Sequence, residues 1–160
     1  MIKATERDLR RAIRNCSRGE RDSMNLPNLT TVHWQDLEYL GWRDVKAPQR
    51  GYLVHEQGEE LVGITVRAGE SRVRRTALCD LCHSVHQDNV ALFVAPRTGQ
   101  AGRNGDTIGT YICDDLACPA HVRAALKPTR QLPDPAPLIA ARGQELQGRL
   151  SAFIAGVLRT

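Results

Sequence analysis

Residues Leu78–His86 read LCDLCHSVH, a pattern that places Cys79 and Cys82 on one tight turn. A second pair, Cys113 and Cys118, lies further along in Ile112–His121, ICDDLACPAH. The Cys-x-x-Cys spacing aims two sulfurs from one turn at a single point, and four thiolates suit the tetrahedral shell of Zn²⁺. The sequence therefore predicts one structural zinc ion held by Cys79, Cys82, Cys113 and Cys118.

The segments between the pairs predict how the sulfurs are brought together. Val90–Pro96, VALFVAP, is typical of a buried strand, and Thr107–Cys113, TIGTYIC, is typical of a second strand. The glycine-rich run between them, RTGQAGRNGD, predicts a flexible hairpin connection. Cys118 then falls in the first turn of a helix, where the missing N–H of Pro119 is tolerated. A knuckle, a hairpin and a helix in this order make a treble clef.

The sequence also permits other roles for the cysteines. They could be small buried apolar residues, or redox-active thiols. One of the nearby histidines, His83, His86 or His121, could replace a cysteine as ligand, although four sulfurs already complete the shell. The fifth cysteine, Cys16, is predicted to lie in the core.

The rest of the chain predicts short helices and hairpins. Thr5 and Asp8 indicate a helix start, and the apolar spacing extends that helix to Gly19. His33–Trp42 predicts a helical turn that stops at Gly41. Arg50–Glu56 and Glu60–Ala68 predict a β-hairpin, and a final helix carries an apolar stripe of Leu146, Leu150, Phe153 and Val157.

The predicted fold class is therefore α+β, with small antiparallel hairpins and a four-cysteine treble clef flanked by helices at both ends. We expect one domain over residues 1–160. Its parts are a helical and hairpin region at 1–70, the zinc finger at 75–130 and the C-terminal helix at 137–158.

Composition limits the classes of function. The hydrophobic share is 41% and the formal net charge is +4, which permits an RNA or an acidic protein as partner without requiring either. The sequence offers no signal peptide and no membrane span, so we expect a cytoplasmic protein without a membrane partner. It contains no recognisable catalytic arrangement, and GQAGRNG lacks the Lys-Ser/Thr of a phosphate loop. We expect no enzymatic activity and no small-molecule substrate.

The blocks LCDLCHSVH and VALFVAPRTGQAGRNGDTIGTYICDDLACPAHVR resemble the zinc-binding domain of the elongation-factor-G-binding proteins, the family that includes bacterial fusidic-acid-resistance proteins. The upstream DLEYLGWRDVKAPQRGYLV extends the resemblance over nearly the whole chain. It implies that the four cysteines are zinc ligands, and that the domain binds elongation factor G and helps to release it from a stalled ribosome. Resistance members carry a helical bundle ahead of the zinc domain, whereas one helix is predicted here.

Two kinds of partner follow from these patterns. A protein partner would contact polar side chains around the loop between the strands Val90–Pro96 and Thr107–Cys113, and on or after the helix that begins at Cys118. These residues are Arg97, Arg103, Asn104, Thr107, Arg123 and Lys127. The alternative is direct contact with RNA or the ribosome, for which the basic run RVRR at residues 72–75 could neutralise phosphates.

Overall fold

The fold is α+β with helices at both ends of the chain, as the sequence predicts, and its strands form two antiparallel sheets. The computed structural model describes residues 1–72 and 76–159. The five-stranded sheet has the order β1-β2-β3-β6-β7, and β4 and β5 pair separately. The strands are β1 Tyr39–Arg43, β2 Arg50–Gln57, β3 Glu60–Arg72, β4 Thr76–Leu78, β5 Val85–Gln87, β6 Val90–Pro96 and β7 Thr107–Cys113. The α-helices are α1 Glu6–Ala12, α2 Arg18–Asp22, α3 Gly99–Arg103, α4 Cys118–Ala125 and α5 Ala136–Leu158.

The N-terminal helix begins where the sequence predicts but ends early. Thr5 and Asp8 form a reciprocal capping box at its start. The helix stops at Ala12, because Ile13 turns into extended backbone and bridges to Gly63 of β3. The prediction that this helix reaches Gly19 is therefore wrong. A second capping box, formed by Ser17 and Glu20, starts the separate helix α2.

The predicted helical turn at His33–Trp42 is mostly a strand. A 3-10 turn covers only Trp34–Asp36, and β1 follows it and pairs with β2. Leu40 and Trp42 alternate along β1 and are buried together on one face of the sheet. Gly41 points to the other face, against Leu116, and does not stop a helix. Trp34, Leu37 and Leu40 recur at a helical spacing of three, whereas Leu40 and Trp42 alternate as in a strand, so the segment fitted both patterns.

Apolar residues cover both faces of the sheet. One buried cluster joins Leu53, Ile64 and Phe93 to the cysteines and to α5. The other cluster joins Leu9 of α1 to Trp42, Tyr52 and other residues of the N-terminal segments. The N-terminal segments and α5 therefore sandwich the sheet, and the cysteines belong to the cluster on the α5 side.

The C-terminal helix packs its apolar stripe inside the protein. Leu146, Leu150 and Val157 are buried as the sequence predicts, but Ile154 fills the position expected for Phe153, which is only half-buried. The connection from β6 to β7 also differs from the expected flexible loop, because it contains the short helix α3.

Two further predictions concern the surface and the membrane. Among the described residues, no helix is both long and apolar enough to cross a bilayer. The RVRR run predicted to contact RNA lies outside the described residues, apart from the backbone at position 72.

Candidate metal centre

The four predicted cysteines come together at one end of the sheet. Cys79 and Cys82 lie in the turn between β4 and β5, Cys113 ends β7 and Cys118 begins α4. Their sulfurs all lie within 4.8 Å of one another. The Sγ atoms of Cys79 and Cys118 are 3.6 Å apart, and those of Cys82 and Cys113 are 3.7 Å apart. All four side chains are buried.

Two tight turns hold the sulfurs in this arrangement. We call residues 76–87, which comprise β4, β5 and the turn between them, the knuckle. In it, the N–H of His83 donates to the carbonyl of Cys79 at 2.9 Å, and the N–H of Cys82 donates to the Cys79 sulfur at 3.4 Å. In the second turn, the N–H of Leu116 donates to the carbonyl of Cys113 at 2.9 Å. His83 and Leu116 both adopt positive φ, at 54° and 59°, which reverses the chain sharply.

Asp80 fixes the knuckle to the main sheet. Its backbone N–H donates to the carbonyl of Tyr111 at 2.7 Å. Its carboxylate accepts the N–H of Tyr111 at 2.8 Å and the hydroxyl of Thr110 at 3.0 Å. The first cysteine pair is thereby attached to the strand that leads into the second pair.

The sulfur cluster fits a zinc ion. Four sulfurs at about 2.3 Å from one tetrahedral zinc lie about 3.8 Å from each other, close to the separations seen here. Contact with the Cys113 thiol holds the pKa of Cys82 well below its usual range, whereas contact with Cys118 raises the pKa of Cys113 far above it. A divalent cation favours the thiolate form of all four cysteines, so its binding would release their protons. Cys79, Cys82, Cys113 and Cys118 would hold the ion, which would cross-link the knuckle to α4.

Two histidines lie beside the sulfurs. The Nε2 atom of His86 is 3.5 Å from the Cys113 sulfur and 3.9 Å from that of Cys82, so its N–H can donate to a thiolate. His121 packs edge-on against His86 and lies 2.8 Å from the Asp115 carboxylate.

Cys113, Asp115 and His121 form a second group whose ligand atoms lie close enough together to hold a cation. The four-sulfur group is the better zinc site, because it is fully buried and already supplies a complete shell. His83 is exposed and belongs to neither group.

Sequence reasoning missed Tyr39. This residue is fully buried at the start of β1, and its burial beside Cys118 raises the pKa of its hydroxyl well above the usual value. The hydroxyl therefore stays protonated, and it has no hydrogen-bond partner among the described residues. No spacing pattern relates residue 39 to residue 118, so only the fold reveals the contact.

The six predicted partner-binding residues occupy different surroundings. Arg103, Asn104, Thr107 and Lys127 are exposed. Arg97 is half-buried and donates to the carbonyl of Gly156 at 3.2 Å. Arg123 is also half-buried, and its guanidinium donates to both carboxylate oxygens of Glu38 at 2.9 Å. This bidentate pair ties α4 to the segment ahead of β1.

The knuckle, the β6–β7 hairpin and the helix that begins at Cys118 define a four-cysteine treble-clef zinc finger. The FBP C-terminal treble-clef zinc-finger family matches residues 8–157, and the chain belongs to that family.

Comparison with solved structures adds one relative in fold. The structure of the fusidic acid resistance protein FusC is similar at a TM-score of 0.53 with 18% sequence identity. The match covers 86% of this chain and 52% of that chain, so this chain spans about half the length of FusC. A comparison with curated proteins gave no match.

Proposed function

We propose that this protein is a non-enzymatic zinc-binding module that docks on elongation factor G and promotes its release from the ribosome. Membership of the FBP zinc-finger family supports a zinc-stabilised docking domain. The similarity in fold to a protein of fusidic acid resistance supports a translation factor as the partner. The proposal gives the metal no reaction, because four sulfurs leave no position for water or substrate.

An exposed apolar surface beside the cysteines is the observation that carries the proposal. Leu78 and Val85 face each other across the knuckle and are 49% and 64% exposed. Tyr111, on the strand to which Asp80 attaches the knuckle, is 45% exposed. Exposed apolar side chains grouped on a rigid element are typical of protein–protein contact, and tyrosine is a frequent anchor. We call Leu78, Val85 and Tyr111 the apolar patch.

The metal would make this patch rigid. Cys79 directly follows Leu78, and Cys113 lies two residues after Tyr111, so one ion would fix both parts of the patch. A prearranged surface loses less conformational entropy on binding than a mobile one. Of the residues predicted from the sequence, Lys127 after α4 remains a proposed contact, whereas Arg103, Asn104 and Thr107 are exposed at the other end of the β6–β7 hairpin, where Thr107 pairs with Pro96.

The proposal is tested by measuring binding of zinc-loaded protein to purified elongation factor G by calorimetry. We expect the double variant Val85→Ser/Tyr111→Ser to lose at least about tenfold in affinity, or about 1.4 kcal/mol. The matched control is Val45→Ser, an exposed valine outside the knuckle, which should bind like the wild type.

A second measurement addresses release from the ribosome. The wild type should lower the amount of the factor that sediments with ribosomes, and the double variant should not. A wild-type protein that binds zinc but shows no affinity for the factor would refute the proposal.

A further inference from the structure

A groove lined by arginines lies at the end of the sheet opposite the cysteines. It has a volume of about 440 Å³ and is formed by four separate parts of the chain, around α1–α2, β2, β3 and the β6–β7 connection. Its lining includes five arginines, Arg14, Arg50, Arg67, Arg97 and Arg103, and one acidic residue, Glu20. We call it the arginine groove.

The frame of the groove is held by buried hydrogen bonds. The side-chain amide of Asn15 donates to the carbonyls of Thr65 and Pro96, both at 3.0 Å, and its Oδ1 accepts the N–H of Thr65 at 2.7 Å. On the other wall, the N–H of Thr98 donates to the carbonyl of Val157 at 3.1 Å, and its hydroxyl donates to the carbonyl of Leu158 at 3.0 Å. These bonds fix the segments that carry Arg14, Arg67 and Arg97 relative to one another.

Contacts within the protein leave much of the positive charge in the groove uncompensated. Arg97 donates to a carbonyl and Arg103 donates to the neutral amide of Gln100. Arg14 lies 3.5 Å from Glu60, but both side chains are largely exposed, and such pairs contribute little. The carboxylate of Glu20 accepts the N–H and hydroxyl of Ser17, both at 2.9 Å, and also attracts Arg50 and Arg67, while Asp44 attracts Arg50 from outside the lining. One carboxylate in the lining against five arginines leaves an excess of positive charge.

We infer that the arginine groove binds the phosphates of an RNA backbone. Guanidinium groups match phosphate with two parallel hydrogen bonds, and all five cations of the groove are arginines. The lining contains no aromatic side chain on which a base could stack, so contacts are made to the backbone. It also contains no large apolar side chain of the kind that anchors a protein partner.

This site is separate from the metal centre and from the apolar patch. Strand β6 runs from Val90, which pairs with Cys113, to Pro96 at the groove. Six residues of strand correspond to about 20 Å. A ligand in the groove would therefore leave the knuckle accessible, and the protein could contact RNA and a protein partner together.

The test is fluorescence anisotropy with a labelled oligouridylate of about 12 nucleotides, titrated at several salt concentrations. The groove variant is Arg67→Gln/Arg103→Gln. The matched control is Arg130→Gln/Arg142→Gln, which removes the same charge from exposed arginines outside the groove. Zinc content and thermal unfolding of each variant show that it has folded.

We expect the groove variant to lose about tenfold or more in affinity, and its log–log salt slope to fall by about 1 to 2 units. The control variant should stay within about threefold of the wild type, and the groove variant should still bind elongation factor G.

Three results would overturn the inference. They are equal losses in the two variants, absence of RNA binding by the folded wild type, and displacement of the RNA by polyglutamate at an equal or lower concentration of charge. The last result would assign the groove to an acidic protein instead. Failure of the wild type to bind the factor, with RNA binding intact, would refute only the proposed function.

Discussion

Replacement of Gly41 by alanine tests whether the N-terminal strand and the metal-binding loop form one unit. A Cβ atom at residue 41 would lie 2.8 Å from Cε2 of Tyr39 and 3.0 Å from Cβ of Leu116, and closer still to the Leu116 carbonyl oxygen. Carbon atoms in contact are normally about 3.5 Å apart or more, so the loop from Cys113 to Cys118 must move by about 0.5 to 1 Å.

This displacement should cost stability and metal affinity together. Overpacking of a buried contact typically destabilises by about 1 to 3 kcal/mol. The moved residue, Leu116, is also flanked by two of the predicted zinc ligands. We therefore expect Gly41→Ala to lower the free energy of unfolding by about 2 kcal/mol and to release zinc to a chelator faster than the wild type.

The assay is urea unfolding followed by tryptophan fluorescence, together with competition against a chromogenic chelator. Gly148→Ala is the matched control, because nothing lies within 4 Å of a Cβ atom at that exposed helical position. It should stabilise the protein by up to about 1 kcal/mol and leave zinc release unchanged. A Gly41→Ala protein that equals the wild type in both measurements would refute the argument.

Three further predictions concern single groups. Cys118→Ser should abolish zinc binding and cause unfolding or aggregation, whereas Cys16→Ser should keep the wild-type zinc content. Elemental analysis measures the zinc content of both variants. A well-folded, zinc-free Cys118→Ser protein would contradict this prediction. Burial lowers the pKa of His55 below its usual 6.5, so the unfolded chain binds more protons and stability falls as the pH drops through 6.5. His55→Leu should flatten this dependence in urea unfolding between about pH 7.5 and about pH 5.5, and an unchanged slope would count against it. Arg123→Ala should lower the free energy of unfolding by about 1 to 3 kcal/mol, because Glu38 then loses a bidentate partner. A double-mutant cycle with Glu38→Gln should show that the two side chains are energetically coupled, and additive effects would argue against that coupling.

Local signals explain the parts of the fold that the sequence predicts well. The capping box of Thr5 and Asp8, the two-residue turn between β2 and β3 and the spacing of Cys79 and Cys82 each depend on residues a few positions apart. Cys118 at the first position of α4 also follows from its neighbour Pro119. In each case the residues that determine the local geometry are close together in the sequence.

Errors arose where local and long-range preferences compete. The capping box of Ser17 and Glu20 was visible in the sequence, but the apolar spacing through Cys16 favoured one long helix. At β1, pairing with β2 outweighed the helical spacing of the apolar residues. Hydrogen bonds to distant parts of the chain determine the secondary structure of such segments.

The surroundings of the candidate sites could not be predicted, because they join residues far apart in the chain. Tyr39 meets Cys118, and Arg123 meets Glu38 across 85 residues. The arginine groove likewise assembles side chains between Arg14 and Arg103. Only the pairing order of the strands brings such groups together.

X-ray absorption at the zinc edge, combined with elemental analysis of freshly purified protein, measures both the metal content and the ligands of the four-cysteine site. We expect about one zinc per chain, with four sulfur neighbours at about 2.3 Å. A folded, active protein without zinc, or a first shell containing nitrogen or oxygen in place of sulfur, would contradict the four-cysteine site.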